Sequence, residues 1–367
     1  MRAEPTTLWA RWQRHALMDP PLTLLLLASC AAGLFILYSA GGQDTALLIR
    51  QGVRLGVGFV IMFVLSRIPP AALSRWSVWA YLGGIVLLIL VALLGEGRGA
   101  QRWLDLGVFR FQPSELLKLA VPMTLAAYLH NRVLPLSFRD FLVAAALVAV
   151  PALLIAEQPD LGTALLVAAS GGFVIFLAGL SWRWIAGGLV LGIASLPVLW
   201  HFMHDYQRQR VLTLIDPSAD PLGAGWHILQ SEIAVGSGGW LGKGYLQGTQ
   251  SQLDFLPERH TDFILAVFGE EFGWIGILAL FTLYLAVVAR SLHIAMQARE
   301  TFARLLAGAL ALAYFLYVLV NAGMISGMLP VVGVPLPFVS YGGTAAVVLL
   351  AGFGMIQSVH VHRRLVG

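Results

Sequence analysis

The sequence predicts an all-α integral membrane protein of about ten transmembrane helices, with both termini cytoplasmic and a large outer loop between helices seven and eight. Three observations carry that prediction. Of 367 residues, 58% are hydrophobic and 11% are charged, against roughly 25% charged in an ordinary soluble domain, and the mean hydropathy is +0.80. Stretches with few or no charges recur at lengths suited to a hydrocarbon layer of ~30 Å. The basic residues divide unequally between the two ends of those stretches. A soluble globule is excluded, because so few charges cannot cover a water-facing surface. The single cysteine, Cys30, rules out an intrachain disulfide.

The N-terminus carries Arg2, Arg11 and Arg14 before a charge-free stretch from Pro20 to Gln43, too long for a signal-peptide core and without a cleavage site, so a retained first helix is expected near Pro21–Tyr38. The next candidates lie near Leu47–Ser66, Trp76–Leu94, Ser114–Leu129, Phe141–Ala156, Leu161–Leu180 and Trp184–Trp200. After a long connection come Phe263–Ala289, Leu305–Gly327 and Gly343–His360. A cytoplasmic N-terminus places thirteen of the 23 basic residues and four of the nineteen acids inside, a net +9 against −5 outside, as the positive-inside rule requires. Residues 1–367 read as one polytopic domain. Residues 201–262 form its large extracytoplasmic loop, whose Tyr206, Trp226, Trp240, Tyr245 and Phe255 are too aromatic for disorder, so it should fold back on the bundle. No internal repeat is visible.

The outer helix ends gather ionisable residues beyond what topology needs. In the first outer loop Arg102, Arg110 and Lys118 lie close in sequence, Pro113 and Ser114 mark a helix start, and Glu115 and Lys118 share a face. This reads either as a capped helix with one ion pair or as an anion site facing a phosphate-bearing ligand. Glu157-Gln-Pro-Asp160 is a turn, or a functional pair of carboxylates at membrane depth. The long loop ends in Leu253-Asp-Phe-Leu-Pro-Glu-Arg-His-Thr-Asp262, with Glu270 and Glu271 two turns into the next span. Thr261 or Asp262 could cap that span; Asp262, with Arg259 and His260 beside it, could equally be a general base. Leu329–Gly343 has three prolines and no charge, which excludes a continuous helix. It reads as a rigid wall beside the site, or as a re-entrant loop without ligand contact. Gly236-Ser-Gly-Gly-Trp-Leu-Gly-Lys243 fails as a phosphate loop, since the glycine spacing is wrong and Gly244 follows the lysine. His360 and His362 read as interfacial residues rather than metal ligands.

Five tracts together resemble the SEDS family of membrane peptidoglycan polymerases, in order and in wording. They are Gly99-Ala-Gln-Arg-Trp103, Gln112-Pro-Ser-Glu-Leu-Leu-Lys118, Gln158-Pro-Asp-Leu-Gly-Thr163, Pro257-Glu-Arg-His-Thr-Asp-Phe263 and Pro337-Phe-Val-Ser-Tyr-Gly-Gly343. Arg259 and the Leu329–Pro337 wording resemble the family's elongation branch rather than its division branch. The resemblance implies a multi-pass protein of the bacterial cytoplasmic membrane that polymerises lipid II on the outer face by inverting transfer, releasing undecaprenyl pyrophosphate. It implies Asp262 as the base and Lys118, Arg102, Arg110 and Arg210 as cations balancing the pyrophosphate, with Glu115 orienting Lys118. Trp103, Asp160, His260 and Ser340 complete the implied substrate contacts. A divalent cation, Mg or Mn, is compatible with these acids; no nucleotide and no nucleic acid is implied. The implied partners are a class B penicillin-binding protein with one membrane helix and the elongation machinery. The rival readings are a lipid II flippase or other transporter, which should carry polar groups through the full membrane depth, and a scaffold, which would need no buried carboxylates.

Overall fold

The computed structural model describes residues 18–94, 104–105, 110–133, 135–203, 205–220, 223–252, 256 and 258–362. Asp19 starts the first described helix, α1 (Pro20–Ala40): its carboxylate accepts the Leu22 N–H and Pro20 takes the first helical position, where the missing N–H costs nothing. Asp44 caps α2 (Thr45–Arg67) in the same way, and α3 spans Pro70–Leu94. A two-stranded antiparallel ladder, β1 (Leu104–Asp105) with β2 (Arg110–Phe111), interrupts the otherwise helical order. Helices α4 (Pro113–His130), α5 (Phe138–Glu157), α6 (Leu161–Leu177) and α7 (Trp182–Phe202) follow. The long connection then holds α8 (Asp205–Ile215), a 3₁₀ turn (Pro217–Ala219), α9 (Ala224–Gly238) and the one-turn α10 (Thr249–Gln252). The chain finishes with α11 (Ile264–Met296), α12 (Thr301–Ile325) and α13 (Thr344–His362).

Each of the ten apolar stretches overlaps one of these helices, with ends that differ by a few residues, and among the described residues seven helices are long and apolar enough to cross a membrane. Helix α4 is buried on nearly every side, packed by α3, α5, α6, α12 and α13. A helix buried all round is normally apolar, so the two charges that α4 carries must find partners inside the bundle. Helix α13 is similarly enclosed and lies along α2. In the long connection, α9 packs on α11.

At the other end of the bundle, Asp19 ties three helices together. Its side-chain oxygens accept Arg290 Nε at 2.9 Å and Nη2 at 2.5 Å. Its N–H donates to Gln357 Oε1 at 2.6 Å, and His360 Nδ1 lies 3.5 Å from its carboxylate. His360 is therefore buried within this cluster, in place of the interfacial position expected from sequence. Removing one member of a buried pair strands the other in low dielectric, at a cost of roughly 3–5 kcal/mol. Because Arg290 still reaches solvent, Arg290→Ala should fall toward the lower end of that range. Thermal unfolding in detergent measures it, and an unchanged midpoint would show that the pair does not hold α1 to α11.

Candidate active site

Helix α4 begins at Pro113 after Gln112, the start expected from the Pro-Ser pair. One turn on, Lys118 Nζ donates to Glu115 Oε1 at 2.6 Å, with both side chains more than nine-tenths buried. The ammonium also lies 5.3 Å from the ring centroid of Tyr317 on α12. Glu115 Oε2 has no hydrogen-bond partner, so the carboxylate keeps an acceptor in reserve. Pro122, four residues beyond Lys118, has no N–H to close the helical bond to the Lys118 carbonyl. Below the pair a small cavity of about 30 Å³ is lined by Lys118, Ser170, Tyr317 and apolar side chains of α12 and α13. It has room for one or two waters and none for an isoprenoid chain.

Asp160 is the N-cap of α6: Oδ1 accepts the Thr163 N–H at 3.2 Å and Oδ2 accepts Gln112 Nε2 at 2.8 Å. The cap thus ties the starts of α4 and α6. A Cβ on Gly162, in the first turn of α6, would come within 2.5 Å of the Val332 carbonyl oxygen, which makes glycine the residue that lets the 327–343 loop close on α6. The next residue of that loop, Gly333, has φ +74, and a Cβ there would sit 3.5 Å from Asp262 Oδ2. The proline-rich loop therefore lies between the first turn of α6, which Asp160 caps, and the Asp262 carboxylate.

Asp262 itself does not cap α11. The N-cap is Phe263, without a side-chain hydrogen bond, so the capping role weighed for Thr261 and Asp262 is corrected: the Thr261 hydroxyl turns back to Glu258 Oε2 at 2.7 Å. Asp262 is fixed through its backbone, whose carbonyl accepts Asn321 Nδ2 at 2.8 Å, while the same amide nitrogen donates to the Val334 carbonyl at 2.8 Å. Asn321 lies four residues beyond Tyr317, one turn along the same face of α12. One helix face thus carries the Lys118 pair and the Asp262 segment about 6 Å apart along its axis. Burial, with the nearby Glu258 carboxylate, pushes the Asp262 carboxyl up to about 6.

Glu115, Lys118, Asp160 and Asp262 therefore converge at one end of the bundle. His260 joins through its backbone, accepting the Tyr341 N–H at 2.8 Å, with the two rings 6.0 Å apart. The Ser340 hydroxyl donates to the Thr261 carbonyl and accepts the Leu336 N–H at 2.8 Å, so it braces the loop. Arg210 lies on α8, which packs on the 3₁₀ turn and α9. Arg102 and Trp103 lie outside the described residues, as does the side chain of Arg110, whose backbone forms β2. Tyr317, Asn321 and Gln112 were not singled out from sequence. The available signal was an amide and a phenol inside the apolar run 305–327, since polar groups at membrane depth are rarely idle.

Past Asp262, helix α11 is broken at Gly273, φ 62 and ψ −165. The glycine-rich 239–244 segment fills the break: Lys243 and Gly244 N–H groups donate to the Glu270 and Glu271 carbonyls at 2.9 and 3.1 Å. Trp274 and Ile275 N–H groups donate to Gly239 and Trp240 carbonyls. Lys243 Nζ pairs with the fully buried Glu270 at 2.7 Å. That is the use of the false phosphate loop. Beside this region an apolar groove of about 700 Å³ opens between α9, α11 and α12, lined by Leu265, Trp274, Phe281, Leu319 and Met328 among others. Leu265 is three residues past Asp262. Among the described residues no three His, Cys, Asp or Glu side chains converge to hold a metal ion, so these acids alone do not form a cation cage.

The sequence profile of a family described as cell cycle protein, FTSW_RODA_SPOVE, matches residues 20–365. The chain is 54% identical over 350 residues to the peptidoglycan glycosyltransferase MrdB of Escherichia coli K12, covering 95% of each chain. It is 36% identical over 336 residues to MrdB of Helicobacter pylori, covering 89% of this chain and 86% of that protein. Among solved structures, a chain from a peptidoglycan synthase complex that coordinates polymerization and crosslinking superposes with a TM-score of 0.83 at 34% identity, over 95% of this chain and 99% of that one. The rod shape determining protein RodA of Thermus thermophilus gives a TM-score of 0.72 at 32% identity, over 95% and 98%.

Proposed function

The chain belongs to the FtsW/RodA/SpoVE family and is a peptidoglycan glycosyltransferase, and from that premise we propose how its residues polymerise lipid II for cell elongation. The observation that carries the reading is the Asp262 carboxylate, which caps no helix and whose backbone is held by α12 one turn from the buried Lys118–Glu115 pair. A base and a cation so placed serve the two ends of one displacement. Asp262 takes the proton of the acceptor sugar's 4-hydroxyl as its oxygen attacks the donor's anomeric carbon. The bond from that carbon to the pyrophosphate oxygen breaks, inverting the centre. The departing electron pair stays on undecaprenyl pyrophosphate, whose charge faces Lys118, with Arg102 and Arg110 contributing from the first loop. No step is routed through a metal. The polyprenyl tail stays in the bilayer and lies in the α9/α11/α12 groove, since each CH₂ drawn into water would cost ~0.8 kcal/mol.

The site faces outward in this reading, in a bacterial cytoplasmic membrane, and a class B penicillin-binding protein packs its single helix on the bundle. The superposition on a chain of a peptidoglycan synthase complex supports such a partner. Purified lipid II incubated with this chain and its partner tests the reading: glycan strands and undecaprenyl pyrophosphate should both appear. Movement of lipid II across a vesicle membrane without polymer would replace it with a transporter.

The pH dependence has a definite sign. A base whose carboxyl titrates at about 6 is ionised above that pH and protonated below it, so the polymerisation rate should be level near neutrality and fall about tenfold per unit below roughly pH 6. Glu258→Gln removes the neighbouring like charge that helps raise it, so the acid limb should move to lower pH. An unmoved limb would assign the titration to another group.

A further inference from the structure

The buried or half-buried cations Lys118, Lys243 and Arg290 each have a carboxylate, in Glu115, Glu270 and Asp19 respectively. Arg54 has none among the described residues. It lies nine residues into α2, about 14 Å along the helix, partly buried, with Nη1 enclosed and lacking an acceptor. Its guanidinium carbon is 4.6 Å from the ring centroid of Tyr341, and a Cβ on Gly343 would be 3.9 Å from it. Gln51, one turn earlier on the same face, is 1% exposed, donates Nε2 to the Ser340 carbonyl at 3.3 Å and leaves Oε1 without a donor. Both side chains thus sit against the Ser340–Gly343 segment. That segment hydrogen-bonds to the carbonyls of His260 and Thr261, immediately before Asp262.

A guanidinium without a counter-ion at membrane depth is expensive, and a stacked, partly dehydrated one is well suited to phosphate oxygens. We propose that Arg54 binds a phosphate oxygen of the polyprenyl pyrophosphate, as a further substrate-binding residue of this site. The proposal rests on the glycosyl-transfer reading for the identity of the lipid, while the chemistry it needs, a phosphate monoanion or pyrophosphate at that level, is set by Arg54 itself. Arg54 would then act on binding more than on the chemical step, because Asp262 and Lys118 are untouched by its removal.

The test uses the full chain with its partner in phosphatidylcholine nanodiscs, comparing wild type, Arg54→Gln and Arg54→Lys. Undecaprenyl pyrophosphate binding should weaken about ten- to a hundredfold in Arg54→Gln, with KM for lipid II rising and kcat within about twofold. Arg54→Lys should lie between, keeping charge without the fork, and it serves as the decisive variant if Arg54→Gln does not fold. Wild-type affinity in Arg54→Gln overturns the proposal, or in Arg54→Lys if that is the variant that folds. So does an equal loss for undecaprenol, which has no phosphate, or a loss confined to added phosphatidylglycerol, which would make Arg54 a phospholipid contact. If the wild type binds undecaprenyl pyrophosphate through Arg54 but makes no glycan, the functional reading fails and the Arg54 site stands.

Discussion

Asp262→Asn should lower glycan synthesis by about 10²–10⁴-fold, the usual contribution of a positioned proton acceptor, while leaving the protein folded. The second half of that expectation comes from geometry. The side chain caps nothing, since α11 starts at Phe263 without a side-chain bond, and the segment is held by its backbone through Asn321. An isosteric amide therefore removes the base and no scaffold contact, so the thermal midpoint should stay close to wild type. Lipid II turnover with gel analysis, beside an unfolding curve, measures both. Polymerisation within a few fold of wild type would remove Asp262 from the chemistry.

Lys118→Met should also lose most activity, but for two reasons that a double variant separates. The first is removal of the cation that meets the leaving pyrophosphate. The second is structural: Glu115, already carrying one unpartnered oxygen, would be left as a buried carboxylate without its ammonium, costing roughly 3–5 kcal/mol. Glu115→Gln in the Lys118→Met background removes that stranded charge, so the double variant should regain stability relative to Lys118→Met. Activity should not return. Recovery of both stability and polymerisation in the double variant would show that the pair only holds α4 in place, and that the anion is met elsewhere.

How far the sequence could be read depended on the range of the interactions. The ten apolar runs became helices because hydropathy is local and lipid solvates each run independently. The Glu115–Lys118 pair was legible because i,i+3 neighbours on one helix meet regardless of tertiary context. Asn321 and Tyr317 were not, because what they touch lies 59 and about 200 residues away and a single sequence does not encode that pairing visibly. The cap of α11 stayed open in the sequence since Thr261 and Asp262 both have suitable side chains; the Glu258 turn, φ +53, decides it by claiming the Thr261 hydroxyl. The three helices of the long connection are too short, at 15 residues or fewer, to show as membrane-length apolar runs, and the break at Gly273 is hidden because a glycine in an apolar run is ordinary in membrane helices.

That break bears on how the protein is made. A helix interrupted in lipid would expose backbone groups at several kcal/mol each, so the break within residues 264–296 is tolerable only once its open N–H and carbonyl groups are paired. Gly239–Gly244 supplies those pairs, with Gly242 so close that a Cβ would lie 2.1 Å from the Glu271 carbonyl oxygen, and because it precedes α11 in the chain it is synthesised before the gap it fills. A chain in which that segment were displaced would be full length and almost as helical as the finished enzyme, yet without the means to hold its bend.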